Sequence, residues 1–257
     1  MPQIPMLINC QNASFGYEGK LVVRDLSFTV EPGDYLWVLG ENGSGKTTLI
    51  LGILKLLNPM SGSIVFCDEL TQGGIGYLSQ QSVLKKDFPA AVDEVVRSGN
   101  LSSMGLRPFY SPREKARAEE AMERLGIKDL RKKCYRELSG GQQRRVLLAR
   151  ALCAAQMEIS AASPSASHGK FASRQLLILD EPAAGLDPLI TVEVYELLKT
   201  LNQDTGISII MVSHDTKGAR QYANKILHME QGRGFFDSTD AYLGSERGKR
   251  FFGQGEK

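Results

Sequence analysis

The residues best suited to chemistry form a glycine-rich segment near the N-terminus: Gly40, Glu41, Asn42, Gly43, Ser44, Gly45, Lys46 and Thr47. The segment matches G-x-x-x-x-G-K-[ST], with an apolar run before it and a helical pattern after it. Its glycines let backbone N–H groups turn towards a phosphate, and the N-terminus of the following helix attracts the same anion. Lys46 can reach the β- and γ-phosphates, and the Thr47 hydroxyl can bind Mg²⁺. A plain glycine-rich turn needs no Lys-Thr pair in register, so the segment predicts a nucleoside triphosphate site.

Two adjacent carboxylates, Asp180 and Glu181, end the apolar run at residues 176–179. Successive side chains of a strand point to opposite faces, so we expect these two to point in different directions. One can hold Mg²⁺ through water, and the other can orient and deprotonate an attacking water. Alone, the pattern is typical of a strand that ends in a turn. Together with the phosphate-binding segment it predicts phosphoryl transfer to water.

A third segment, residues 138–142, precedes a helical pattern that runs to about Ala155. Ser139 and Gln142 fit a capping box at the helix N-terminus. Gly140 and Gly141 leave backbone N–H groups bare there, which makes a second phosphate-binding end. The alternative is simply a well-capped helix. One ATP does not need two such ends from one domain, so the pattern favours a dimer with nucleotide at its interface.

With these motifs, the sequence resembles the ATP-binding subunit of an ABC transporter, in which residues 138–142 correspond to the signature segment. The resemblance covers the chain except residues 160–173 and the far C-terminus. It implies an α/β fold, with a P-loop NTPase core around a mostly parallel sheet, an N-terminal antiparallel β-subdomain and a helical subdomain. It also implies a single ATP-binding domain over residues 1–257, with the helical subdomain near 90–150 and a Ser/Ala-rich loop insertion near 160–173.

The resemblance further implies which residues bind ATP. Tyr17 matches the aromatic residue that stacks on adenine, and His214 matches the histidine that contacts the γ-phosphate. Asp187 matches the loop that crosses the dimer interface. The expected nucleotide-binding residues are Tyr17, Gly40, Glu41, Asn42, Gly43, Ser44, Gly45, Lys46, Thr47, Thr48, Ser139, Gly140, Gly141, Gln142 and Asp187.

Catalysis and Mg²⁺ binding are assigned by the same resemblance. Glu181 is present, which implies a hydrolysing site. Gln80 matches the glutamine that senses Mg²⁺ and links to the membrane partner, with the adjacent Gln81 as an alternative. The expected catalytic residues are Glu181, His214, Gln80 and Lys46, and the expected Mg²⁺ ligands are Thr47, Gln80 and Asp180.

The elements that must position these residues alternate between strands and helices. Residues 7–30 alternate in polarity around a turn at 16–19, which predicts an antiparallel sheet. Residues 35–39, 176–179 and 208–213 are apolar runs typical of buried strands. Helical patterns cover 46–57, 90–136 and 191–201, and a capping box is expected at Ser111, Pro112 and Glu114. Strands alternating with helices predict a mostly parallel sheet.

Composition excludes several classes of protein. The 257 residues carry a net charge of +2, which argues against nucleic-acid binding through a broad basic surface. We find neither a signal peptide nor an apolar run of the roughly 20 residues that span a bilayer. Four cysteines without a Cys-x-x-Cys pair indicate reduced thiols in a cytosolic protein. The three histidines show no ligand spacing, so we do not expect the chain itself to carry a transported metal.

The transported cargo is inferred from resemblance alone. Residues 76–81, 87–90, 94–96, 133–138 and 181–187 look like the zinc and manganese importer branch of the family. This implies a homodimer at the cytoplasmic face of the inner membrane, bound to membrane permease subunits, with an extracytoplasmic metal-binding protein in the same system. The alternatives are another cargo, such as an iron chelate or an exported compound, and a non-transport ATPase in translation or DNA repair. Which of the two metals is moved stays open.

Overall fold

The computed structural model describes residues 6–71, 74–80, 89–156 and 174–253. The insertion near 160–173, His168 and Gln81 therefore lie outside the described residues. The strands are β1 (Ile8–Tyr17), β2 (Lys20–Val30), β3 (Tyr35–Leu39), β4 (Ser61–Phe66), β5 (Ile75–Leu78), β6 (Leu176–Asp180), β7 (Ser208–Val212), β8 (Lys225–Glu230) and β9 (Arg233–Ser238). The α-helices are α1 (Lys46–Ile53), α2 (Asp68–Thr71), α3 (Val92–Arg97), α4 (Leu101–Met104), α5 (Pro112–Arg124), α6 (Gly140–Ala154), α7 (Pro188–Thr205), α8 (Thr216–Tyr222), α9 (Thr239–Gly244) and α10 (Glu246–Gly253).

These elements belong to two compact units. The first unit comprises Met1–Asp68 and Ser208–Lys257, and the second comprises Glu69–Ile207. In the first unit, β2, β1 and β4 form an antiparallel sheet in that order, which confirms the prediction for residues 7–30. The β1–β2 turn places Glu18 at φ 49° and Gly19 at φ 79°. Two successive positive φ angles match the right-handed twist of a hairpin, and glycine tolerates them best.

A second sheet of the first unit positions the phosphate-binding segment. Its central strand β3 pairs in parallel with β7 and β8, and β9 runs antiparallel to β8. All five residues of β3 are buried, as a continuous apolar run predicts. The glycine-rich segment begins directly after this strand, so its start is anchored in the core.

The second unit combines a parallel strand pair with helices. β5 pairs with β6 in the register Tyr77↔Ile178, which supports the mostly parallel sheet expected from the sequence. The capping box of α5 is confirmed: the Ser111 N–H donates to Glu114 at 2.7 Å, and the Glu114 N–H donates to Ser111 Oγ at 3.2 Å. Gly76 lies so close to the Ala151 carbonyl of α6 that a Cβ there would overlap it. β5 and α6 are therefore packed in direct contact.

Two predicted helix boundaries were wrong. We expected the helix after Lys46 to continue to Leu57, but α1 ends at Ile53 because Lys55 turns to φ 60°. The helix predicted over 191–201 is longer in the structure, where α7 runs from Pro188 to Thr205. Its start follows from Asp187, whose carboxylate accepts the Leu189 N–H at 2.9 Å, and from a proline at the first helical position.

The four cysteines, all within the described residues, form no disulfide bond. Cys67 and Cys134 are partly exposed, while Cys10 and Cys153 are buried. Burial raises the pKa of both buried thiols to about 12, so they stay protonated and inert at neutral pH. Across the described ranges, none of the helices combines the length and apolar character that crossing a membrane requires.

Candidate functional site

The glycine-rich segment forms a tight loop between β3 and α1. Lys46 Nζ lies 2.7 Å from the Gly40 carbonyl oxygen and 2.8 Å from that of Glu41, so the ammonium group lies across its own loop. Gly45 has φ 107°, and a Cβ at this position would come within 2.8 Å of Val23 Cγ2. Only glycine fits there. The chain thus places a fixed positive charge beside the start of a helix.

The residues of this loop fit a phosphate group. Ser44 Oγ is buried, and it makes no hydrogen bond within the described part of the chain. No side chain caps the N-terminus of α1, so a ligand rather than a neighbour can satisfy the first N–H groups. The exposed Thr47 stands in the first helical turn, where its hydroxyl can bind a cation held by the phosphates.

One side of the loop borders a cavity of about 360 Å³ within the first unit. Glu41, Asn42, Gly43 and Ser44 line it together with the end of β8 and with Arg247, Arg250 and Phe251 of α10. His228 of β8 is buried there, with its Nδ1 hydrogen-bonded to the Tyr242 hydroxyl and its ring 4.1 Å from that of Phe251. Burial lowers the pKa of His228, so the imidazole is neutral at pH 7.

Two further predicted nucleotide contacts lie in the first unit. Tyr17 ends β1 and is 46% exposed, which leaves its ring available for stacking. His214 is exposed and follows β7. The residues that flank His214 hold its backbone in place. The Asp215 N–H donates to Ser213 Oγ at 3.2 Å, and the Asp215 carboxylate caps α8.

The two carboxylates lie in the second unit at the end of β6. Asp180 is buried as the last strand residue, whereas Glu181 is partly exposed and adopts φ 48°. The chain therefore leaves the strand direction at Glu181. Tyr77 of the neighbouring strand β5 is hydrogen-bonded to Asp180, and burial followed by the Asp180 charge raises the pKa of Tyr77 to about 12. The sequence does not predict this contact, because no local pattern joins the two residues.

Arg144 is a second residue of this region that the sequence motifs do not predict. Its guanidinium group donates hydrogen bonds to the carbonyl oxygens of Glu181 and Pro182. Burial lowers the pKa of Arg144, while Tyr135, Asp180 and Glu181 act in the opposite direction. Arg144 stands one helical turn after the glycines of the signature segment, but nothing in the sequence points to its partners.

The signature segment forms the N-terminus of α6 with the predicted capping box. The Gln142 N–H donates to Ser139 Oγ at 3.3 Å, and the Ser139 N–H donates to Gln142 Oε1 at 3.1 Å. Gly140 is exposed, whereas Gly141 is buried against Ile190 of α7. The end of this helix is therefore pre-shaped and carries a bare backbone at its exposed position.

The predicted site residues are divided between the two units. The first unit holds Tyr17, the loop from Gly40 to Thr48, and His214. The second unit holds Gln80, which is exposed after β5, the signature segment, Asp180, Glu181 and the exposed Asp187. In the described ranges, no group of three or more His, Cys, Asp or Glu side chains could by itself hold a metal ion.

Comparison with known proteins identifies the family. The sequence matches the family described as ABC transporter over residues 23–157. The zinc uptake system ATP-binding protein ZurA of Listeria innocua is 33% identical over 239 residues, which cover 91% of this chain and 86% of that protein. The manganese transport system ATP-binding protein MntB of Bacillus subtilis is 32% identical over 253 residues, 96% of this chain and 92% of that protein.

A solved structure gives the same result for the fold. It is described as an inward-facing conformation of a metal-chelate type ABC transporter, and it has a TM-score of 0.80 at 26% identity, covering 97% of this chain and 90% of that chain. A phosphate loop and a strand-end carboxylate are parts that phosphoryl transfer from a nucleoside triphosphate uses in general. The chain therefore belongs to the ABC transporter family and is an ATP-binding, ATP-hydrolysing subunit.

Proposed function

We propose that this protein drives a bacterial importer that takes up zinc or manganese through a separate membrane permease. The observation that carries the proposal is the similarity, over 91% and 96% of the chain, to proteins named for zinc uptake and manganese transport. The described parts of the segments expected to resemble that branch belong to the second unit, which also contains the helices near residues 90–150. We expect these segments to contact the permease. Their sequences therefore indicate which type of permease the chain binds, but they do not identify the transported ion.

In this proposal, two copies of the chain bind two ATP molecules with Mg²⁺ at their interface. Each phosphate loop holds one nucleotide through Lys46, with Tyr17 stacked on the adenine and His214 at the γ-phosphate. Thr47, Gln80 and Asp180 are the Mg²⁺ ligands, directly or through water. The partner copy supplies the exposed end of α6, including Ser139 and Gly140, and the segment around Asp187. The exposure of these residues supports the dimer, because a partner nucleotide can reach them without displacing other parts of the chain.

Glu181 is the proposed general base that activates water. Its position after a buried strand carboxylate, which is itself fixed by Tyr77, supports the separation of roles between Asp180 and Glu181. Replacing Glu181 with Gln keeps the size and removes the base. We expect at least a hundredfold loss of turnover with ATP binding retained and a dimer that persists in ATP, since hydrolysis is what reopens it. Normal hydrolysis by this variant would show that another group is the base.

We propose that the permease binds the helices near residues 90–150, which act as one lobe of a single ATP-binding domain. The connection between α4 and α5 exposes two large apolar side chains, Leu106 and Phe109, almost completely. Exposed apolar groups of this size are typical of contact surfaces. The subunit would therefore sit at the cytoplasmic face of the inner membrane, with an extracytoplasmic binding protein delivering the ion from the other side.

A second candidate cargo is a metal chelate, because the similar solved structure is described as a metal-chelate type transporter. Uptake measurements separate the candidates. Cells that lack the chain are complemented with the wild type or with Glu181→Gln, and the accumulation of zinc, manganese and chelated iron is compared. Energy-dependent accumulation of zinc or manganese only with the wild type supports the proposal. Accumulation of chelated iron alone would favour the second candidate, and co-purification with ribosomes or DNA rather than a multi-span membrane protein would refute transport.

A further inference from the structure

The N-terminal half of α6 contacts the segment that follows Glu181 at successive points within the second unit. Arg144 binds the carbonyl oxygens of Glu181 and Pro182. Gly141 faces Ile190 so closely that a Cβ would lie 3.1 Å from Ile190 Cγ2, and Arg145 Nη2 lies 2.9 Å from Glu193 Oε2. The helix end that carries the signature residues is thus connected to the chain that carries the proposed base.

We propose that Arg144 is a positioning residue for hydrolysis: its guanidinium group holds the main chain of Glu181 so that the carboxylate faces the attacking water. This inference rests on the proposed role of Glu181 as the base. Arg144 itself does not contact the nucleotide in this proposal. It acts on the reaction only through the backbone that it binds.

The backbone of Glu181 needs such a contact. Its φ of 48° lies in the left-handed region, which is unfavourable for a residue with a side chain unless the surrounding structure imposes it. In the turn that follows, the Ala184 N–H donates a hydrogen bond to the Glu181 carbonyl at 3.1 Å. Arg144 adds two charge-assisted bonds to successive carbonyls, which fix both the position and the direction of the peptide planes.

Arginine suits this role because of its geometry. The planar guanidinium group presents several N–H donors in a rigid fork, so one side chain can bind two neighbouring carbonyl oxygens. Lysine carries the same charge but only a single donor atom. Glutamine can donate to one carbonyl, but it is shorter and uncharged. The three residues should therefore restrain Glu181 in the order Arg, Lys, Gln.

The test compares purified full-length Arg144→Gln and Arg144→Lys with the wild type. Arg145→Gln is the matched control, because the neighbouring arginine binds the Glu193 side chain instead of the backbone near Glu181. Steady-state hydrolysis gives kcat and KM, and the ATP dissociation constant is measured in the Glu181→Gln background, where turnover is blocked. Thermal unfolding records whether each variant is folded.

We expect Arg144→Gln to lower kcat by about ten- to a hundredfold, because small displacements of a catalytic group carry penalties of that size. The ATP dissociation constant should change by less than about threefold, since the phosphate loop is untouched. Arg144→Lys should recover part of the lost kcat, and Arg145→Gln should behave as the wild type does. If Arg144 only stabilised the fold, its replacement would not lower kcat while leaving the ATP dissociation constant nearly unchanged.

Three results would overturn the proposal: a normal kcat in folded Arg144→Gln, a loss of ATP affinity that matches the loss of kcat, or an equal loss in Arg145→Gln. If Arg144→Gln does not fold, a normal kcat in Arg144→Lys would overturn the proposal instead. Failure of the base assignment is distinguishable, because it appears as hydrolysis by Glu181→Gln, whatever the Arg144 variants do.

Discussion

Gly140→Ala is expected to stabilise the fold slightly and to abolish most of the hydrolysis. Gly140 is the first residue of α6 and is exposed. An alanine Cβ would lie 3.8 Å from Leu186 Cδ2, an ordinary van der Waals distance, so the chain can accept it. Replacing glycine with alanine in a helix lowers the entropy of the unfolded chain, and at this terminal position we expect a gain of about 0.5 kcal/mol in the free energy of unfolding.

The effect on activity has the opposite sign. The Cβ of a helical residue tilts towards the helix N-terminus, so the new methyl group would stand beside the bare N–H groups of the signature segment. A phosphate oxygen must come within about 3 Å of an N–H to accept a hydrogen bond, and the methyl group hinders that approach. Loss of one backbone donor to a reacting anion typically costs about a hundredfold in kcat, which is the loss we expect.

The assay pairs urea unfolding with the steady-state rate of ATP hydrolysis for the same protein preparation. Gly244→Ala is the matched control, because it also places an alanine in a helix, with open space around the Cβ and no nucleotide contact expected nearby. Gly140→Ala that is folded and hydrolyses ATP within about threefold of the wild-type rate would refute the assignment of this helix end to phosphate binding.

Two further predictions concern stability as a function of pH. Burial lowers the pKa of His228, so below about pH 6.5 the unfolded chain binds a proton that the folded chain does not. The free energy of unfolding, measured with urea, should therefore fall as the pH is lowered from about 7.5 to 5.5. The variant His228→Asn should show a weaker dependence on pH, and an unchanged dependence would contradict the argument. Although burial raises the pKa of Glu114, hydrogen bonds from Ser111, Arg107 and Ser103 outweigh it and bring the pKa to about 2. The folded pKa is thus below the unfolded one, so this stabilisation is present above about pH 4.5 and is lost as the pH falls towards 2. Because Arg107 is half exposed and therefore screened, we expect Glu114→Gln to cost about 2 kcal/mol at pH 7 and almost nothing near pH 2, and equal urea midpoints for the two proteins at pH 7 would contradict this.

The parts of the site that the sequence predicted are those whose physics is local. The phosphate loop needs glycines and a lysine at fixed spacing, and the capping boxes of α5 and α6 each involve residues three positions apart. The buried strands β3, β6 and β7 are continuous apolar runs. In each case the interacting groups lie within a few residues of one another, so their spacing along the chain is a sufficient signal.

The parts that escaped prediction depend on the tertiary fold. Arg144 and Glu181 are 37 residues apart, and no sequence pattern around Arg144 indicates its partner. Tyr77 reaches Asp180 only because β5 and β6 pair in parallel, in a register that neither strand specifies alone. The end of α1 was misplaced for a different reason: the apolar pattern continues beyond Ile53, but the N–H groups of Leu56 and Leu57 both return to the Leu51 carbonyl.

The two helix ends that we propose to bind phosphate, those of α1 and α6, differ in how far their own side chains satisfy them. No side chain caps α1, and its first turn carries Lys46, so this end suits the larger share of the triphosphate charge. In α6 the capping box already engages the N–H groups of Ser139 and Gln142, so fewer donors are left for a ligand and no positive side chain is added. In the proposed dimer, the α6 end, with only part of its N–H groups left bare, binds ATP more weakly by itself than the α1 end does. The α6 end is better suited to complete a site in which ATP is already bound. A dimer that assembles around its nucleotide requires this order, in which ATP binds at α1 first and the α6 end of the partner copy closes on it afterwards.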